Sequence, residues 1–147
     1  MAQVILHSLF KVDKYRPEEV LGVVGHKESI RKAISQFSED LIVVDATDER
    51  SKHVWDCSVK ILAVKPQQLS QIKENCSERV SQNYGQRPLL ISILAGVNLN
   101  TLQTLFPSHV CVRAVPNTPV FVGAGLTSIA CGDGISLEQK LLVEEIF

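Results

Sequence analysis

The sequence predicts an α/β fold, a mostly parallel sheet with helices on both faces. Short apolar runs of strand length alternate with segments whose apolar residues recur at helical spacing. In the stretch 87–131, RPLLISILAGVNLNTLQTLFPSHVCVRAVPNTPVFVGAGLTSIAC, the punctuation reads strand, loop, helix, strand, loop. Small residues fall at both strand ends of that stretch. Ligands of such sheets sit beyond the carboxyl ends of the strands, where small residues let a planar group approach the backbone.

Taken in order, residues 2–10 (AQVILHSLF) place Val4, Ile5, Leu9 and Phe10 for a helix that runs from the first residues. Pro17 marks a helix start or turn. Residues 20–24 (VLGVV) read as a strand closed by Gly25. Residues 26–37 follow as a helix with Ile30, Ala33, Ile34 and Phe37 on one face. Residues 41–44 (LIVV) form the next strand, and Asp45 leads into a polar connection, ATDERSKH. VKILAV at 59–64 is a further strand. It is ended by Lys65-Pro66, because the residue before proline avoids the helical region while Pro66 suits a first helical turn. Residues 67–80 carry Leu69, Ile72, Cys76 and Val80 on one helical side, and 83–88 is a turn-rich joint. Residues 89–94 form a buried strand, Asn98 caps a short helix through Leu102, Leu105 and Phe106, and Pro107 stops it. A strand at 109–115 runs into Pro116-Asn117-Thr118-Pro119. A brief strand at 126–130, the turn Gly132-Asp133-Gly134 and a helix capped by Ser136 with Gln139 three residues on complete the chain.

At 147 residues the chain is about one domain. Apolar residues make up 45 %, and 15 basic side chains nearly cancel 16 acidic ones, so no broad basic footprint for nucleic acid is expected. The run VILHSLF is too short to span a membrane and lacks a basic leader, so neither a membrane partner nor a signal peptide is expected. Cys57, Cys76, Cys111 and Cys131 contain no CxxC pair and are read as thiols in a reducing compartment, against a disulfide set or a zinc site. Cytoplasmic localisation follows from that reading. His7, His26, His53 and His109 share no metal-ligand spacing.

A dinucleotide-binding α/β domain normally begins with a strand running into GxGxxG, where the glycines admit the pyrophosphate and the next helix points its amides at it. Gly22 and Gly25 do not make that fingerprint. Yet AVKPQQL at 63–69, SILAGV at 92–97 and VRAVPNTPVFVGAGLTSIA at 112–130, with their spacing, resemble the N-terminal domain of pyrroline-5-carboxylate reductase. The resemblance implies a Rossmann-like domain that binds NADPH or NADH. It also implies an oxidoreductase of proline biosynthesis that reduces 1-pyrroline-5-carboxylate to L-proline. On this alignment Met1-Ala2 meets the end of the family's glycine loop, often GxGxMA, and Phe147 falls before the interdomain segment. The expectation is therefore an incomplete cofactor domain, a fragment without the first strand or the helical C-terminal domain that makes the dimer and most of the imino-acid pocket.

The resemblance places cofactor contacts at Ala63, Val64, Lys65 and Pro66, which match the segment beside the nicotinamide-side ribose and phosphates. Ala95 and Gly96 match the small pair that admits the nicotinamide. Pro116, Asn117, Thr118 and Pro119 match the rigid loop beside the nicotinamide and the imino acid. Arg50 stands where the family often has an Asn at the adenosine-side ribose, and its fork of donors suits a 2′-phosphate. Val115 replaces the family's usual Met before PNTP. Taken alone, Lys65 would be a solvated surface lysine, and the two prolines ordinary turn formers. No side chain is assigned as catalytic and no metal ligand is expected.

Two alternatives stand beside this reading. One is a different Rossmann-type reductase, such as the related family that uses a deazaflavin. The other is a non-catalytic α/β module that serves in binding or assembly. In the chain alone, weak or absent NADP binding and no catalysis are expected, and unpaired strand edges invite self-association.

Overall fold

The computed structural model describes residues 2–11, 15–76, 86–117 and 125–147, which fall into two compact units, Ala2–Val54 and Trp55–Phe147. In the first unit, helix α1 (Ala2–Lys11) buries Ile5 and Leu9, the inward side of its amphipathic run. A 3-10 turn at Pro17–Glu19 leads into β1 (Leu21–Val24), followed by α2 (Lys27–Gln36) and β2 (Ile42–Asp45). The two strands pair in parallel, Leu21 with Ile42 through Val24 with Asp45. This is a strand–helix–strand crossover, and Phe10 meets Phe37 edge-on with ring centroids 6.0 Å apart.

The polar connection expected at 46–53 is ordered as a 3-10 helix, Glu49–Asp56. Asp48 organises its start. The Asp48 carboxylate accepts from the Arg50 amide at 2.9 Å, and its carbonyl accepts from the Ser51 amide at 2.9 Å. Short polar side chains that bond to the backbone two residues on favour such turns, and apolar periodicity does not register them.

The second unit is built on a sheet of four strands in the order β3 (Val59–Leu62), β4 (Leu89–Ser92), β5 (Val110–Pro116), β6 (Thr127–Cys131). The first three are parallel, with Val59, Leu89 and Val110 in register. β6 runs antiparallel to β5, a direction the residue pattern does not reveal. β4 is buried at every position, as a continuous apolar run requires. The expected strand at 59–64 ends at Leu62, which leaves Ala63 and Val64 in the connection to a 3-10 turn at Pro66–Gln68 and helix α3 (Leu69–Asn75). The helix expected over 67–80 is therefore shorter in its described part. Its continuation past Cys76 lies outside the described residues, as do residues 83–85 of the joint at 83–88.

Helix α4 (Leu99–Leu105) is capped as its sequence asks: the Asn98 side chain accepts from the Thr101 amide at 2.8 Å. Helix α5 (Leu137–Ile146) starts with a full capping box between Ser136 and Gln139. Leu102, Phe106 and Val143 are fully buried and pack the unit with β4 and β5.

One clasp ties distant segments of this unit. The Arg87 guanidinium donates to the Asp133 carbonyl at 2.9 Å and to the Pro107 carbonyl at 3.4 Å. The Arg87 carbonyl in turn accepts from Gln139 Nε2 at 2.9 Å. Gly134 has a φ of 80°, which strains any other residue, and a Cβ there would displace the Arg87 guanidinium from this clasp.

Candidate functional site

β3 and β4 both end on one rung, where Leu62, Ser92, Arg113 and Ala130 lie in register. The connections that leave this rung carry most of the site residues expected from the sequence. After β3, Ala63 and Lys65 are exposed and Val64 is half-buried. Lys65 precedes the Pro66 turn in extended conformation (φ −76°, ψ 143°), as the residue before proline must. Its own amide donates to Gln68 Oε1 at 3.1 Å, so that amide is committed within the chain. Among the described residues no acceptor engages the Lys65 ammonium.

After β4, the Ser92 hydroxyl accepts from the Leu94 amide at 3.3 Å and turns the chain out of the sheet. The Ile93 amide still bonds the Leu62 carbonyl at 3.1 Å, which keeps this exit beside that of β3. Lys65 and Ala95 therefore follow neighbouring strands, as a shared crevice requires. Ala95 and Gly96 are exposed, and Gly96 takes a φ of 75° with nothing within 4 Å of where a Cβ would stand. This open, left-handed glycine leaves room for a planar group to approach the backbone.

After β5, Asn117 has a different occupation from the one expected. Its amide donates to the Leu126 carbonyl at 3.1 Å, and its Oδ1 accepts from the Leu126 amide at 2.9 Å. It closes the base of the connection between β5 and β6, and that use leaves only its Nδ2 for a ligand. Thr118 and Pro119 lie outside the described residues. Arg50 belongs to the other unit. There its guanidinium is gripped by Asp48, Nη2 to Oδ2 at 2.7 Å and Nε to both oxygens at 3.1 and 3.2 Å. The same hydrogen bonds hold the Asp48 carboxyl down to about 2. The Arg50 fork is thus already filled by a carboxylate.

Three polar side chains in or next to the sheet were not singled out by sequence reasoning. Lys60 is only 4 % exposed; its ammonium donates to the Cys57 carbonyl, and burial lowers its pKa. Arg113 is taken up below. His109, 6 % exposed, stands edge-on to Trp55 and Phe106, with centroids at 6.1 and 6.2 Å. Its Nδ1 is 3.2 Å from the Ser108 hydroxyl, and its Nε2 is buried without a partner. A charged or imidazole residue inside an apolar run was the available signal for all three.

Burial first, then the Lys60 and Lys73 ammonium groups, lower the His109 pKa from 6.5 to about 4. The fold therefore favours the neutral ring. This contribution is complete above the unfolded value near 6.5 and is lost as pH falls towards 4. Urea titrations are expected to lose about 2–3 kcal/mol over that window beyond the loss in His109→Phe, whose ring cannot titrate. Equal pH slopes in the two proteins would show that His109 contributes nothing.

Among the described residues no group of three or more His, Cys, Asp or Glu could hold a metal ion. None of their helices is long and apolar enough to cross a membrane.

No family model matches the chain. A pyrroline-5-carboxylate reductase of Synechocystis sp. is 37 % identical over 147 residues, all of this chain and 51 % of the relative. A solved structure of a pyrroline-5-carboxylate reductase from Coxiella burnetii superposes with a TM-score of 0.77 at 26 % identity, covering 99 % of this chain and 51 % of that one. The Plasmodium falciparum pyrroline carboxylate reductase, solved with NADP bound, gives a TM-score of 0.75 at 21 % identity over 99 % of this chain and 49 % of that one, a likeness of fold. The chain spans about half the length of the curated relatives it matches.

Proposed function

This chain belongs with the N-terminal half of the pyrroline-5-carboxylate reductase family, and from that premise we propose that residues 1–147 are part of an NAD(P)-binding domain. The activity proposed for the whole enzyme is reduction of 1-pyrroline-5-carboxylate to L-proline. The bound nicotinamide supplies the hydride that adds to the imine carbon, and a proton completes the amine. The chain's own residues have the task of holding the ring. The observation that carries the reading is Gly96: exposed, left-handed and open above its Cα, on the exit of β4 beside that of β3. Lys65 offers its ammonium to a ligand phosphate from the neighbouring exit. Asn117 acts mainly by fixing the β5–β6 connection, and Thr118 stays a proposed contact on the family alignment alone.

Arg50 is proposed at the adenosine-side ribose. A 2′-phosphate there would have to compete with Asp48, so the Arg50 fork does not by itself favour NADP over NAD. The four cysteines form no CxxC pair, which favours a reducing compartment and, on this reading, the cytoplasm.

Titration with NADPH tests the proposal. The expected dissociation constant is weaker than about 1 mM, a standard binding free energy of only about −4 kcal/mol, because no glycine loop is present in these 147 residues to cradle the pyrophosphate. Amide signals of Val64, Ala95 and Gly96 should move during the titration and should stay still in Gly96→Val, whose side chain fills the approach. Micromolar binding would overturn the expected weak cradle, and shifts that survive Gly96→Val would overturn the placement of the ring at Gly96.

A further inference from the structure

Arg113 has an apolar strand for its setting and nothing for a partner. It lies on β5 in the final rung shared with Leu62 and Ser92, the rung from which the Ala63–Lys65 and Ile93–Gly96 connections depart. Its Nε is buried and makes no hydrogen bond, while the side chain as a whole is half-buried. The nearest polar neighbour by register, Ser92, already uses its hydroxyl to accept from Leu94. A guanidinium N–H withdrawn from water without an acceptor destabilises the fold, and more so because the group is charged.

The charges around this rung have one sign. Across residues 63–68, 93–98 and 113–117 there is no Asp or Glu, and the charged side chains are Lys65 and Arg113. No carboxylate on these strand exits can therefore satisfy the Arg113 fork, which leaves its buried Nε open to an acceptor from a ligand.

We propose that Arg113, on the last rung with Ser92 and Leu62, from which the Gly96 and Lys65 connections depart, anchors an oxyanion of the bound ligand. The chemistry is a planar fork of donors on a pair of oxygens, either a carboxylate of the imino acid or a phosphate of the cofactor. The inference rests on the cofactor-domain reading for the identity of those two sources. It assigns Arg113 a binding role that lysine could not reproduce.

The test reads the Arg113 Nε–H resonance in the isotopically labelled 147-residue chain, with separate additions of NADPH, inorganic pyrophosphate and L-proline at matched ionic strength. The expected result is a shift of that resonance and slower exchange with water in one of the last two additions. A response to L-proline identifies the carboxylate, and a response to pyrophosphate identifies the cofactor phosphate. Arg113→Lys and Arg113→Gln should both weaken the responding arm by roughly tenfold or more, with their backbone spectra otherwise unchanged. If one variant fails to fold, the other and the wild-type titration still decide. A silent Nε–H alongside moving Val64 and Gly96 amides would overturn the role of Arg113 and leave the cofactor reading standing. A responding Nε–H with silent loop amides would overturn the cofactor reading and leave an oxyanion site at Arg113. Silence in both places would overturn both.

Discussion

No consumption of NADPH is expected when the 147-residue chain is mixed with that cofactor and 1-pyrroline-5-carboxylate. Hydride transfer needs the donor and the imine carbon held within about 3–3.5 Å and aligned, and the rate advantage comes from that positioning. The strand exits described above offer one wall, for the ring of the cofactor. On the proposed reading Lys65, Ala95 and Gly96 hold a nicotinamide from one side, and none of them holds an imino acid against its other face. The chain also matches only about half the length of its relatives. Loss of absorbance from reduced cofactor is the measurement. Addition of the C-terminal half of the Synechocystis relative as a separate polypeptide is the second arm, and turnover appearing only then is the expected pattern. Measurable turnover by these 147 residues unaided would refute the one-wall account.

The second large effect concerns strand edges. β1 pairs with β2 alone, and β3 and β6 are the terminal strands of their sheet among the described residues. The outward N–H and C=O groups of β1 (LGVV) and β6 (TSIAC) carry no charge or proline to discourage another strand, and β3 has only the inward Lys60. Outward amides of these three strands are expected to exchange with solvent orders of magnitude faster than those of β4, which is paired on both sides. Sedimentation should reveal association that grows with concentration. Uniformly strong protection of β1 and β3 in a monomer would contradict this account.

Much of the architecture was legible because it is local. Apolar runs of strand length located the six strands of the described residues to within a residue or two. Asn98 and the Ser136–Gln139 pair announced helix starts whose hydrogen bonds are made inside a single turn. What the pattern could not convey is pairing. The antiparallel direction of β6 depends on how a connection folds back, and Asn117 Oδ1 is committed to that fold-back, which leaves its Nδ2 for a ligand. The same limit applies to Arg50: its residue type suits a phosphate, but a carboxylate two positions earlier occupies it. Lys60, His109 and Arg113 show it from the other side. A polar residue in an apolar run signals burial, and only coordinates reveal whether a partner exists.

The Arg87 clasp has a consequence for time rather than for shape. Its hydrogen bonds join residues 46 and 52 positions apart and touch the ends of β4, β6 and α5. Closing such a loop gains little until the intervening strands are docked, so the clasp is expected to form after the folding barrier has been crossed. Interactions made that late leave the folding rate almost unchanged and slow the reverse step. Arg87 and Gly134 therefore act on the lifetime of the Trp55–Phe147 unit, and hardly at all on how quickly it assembles.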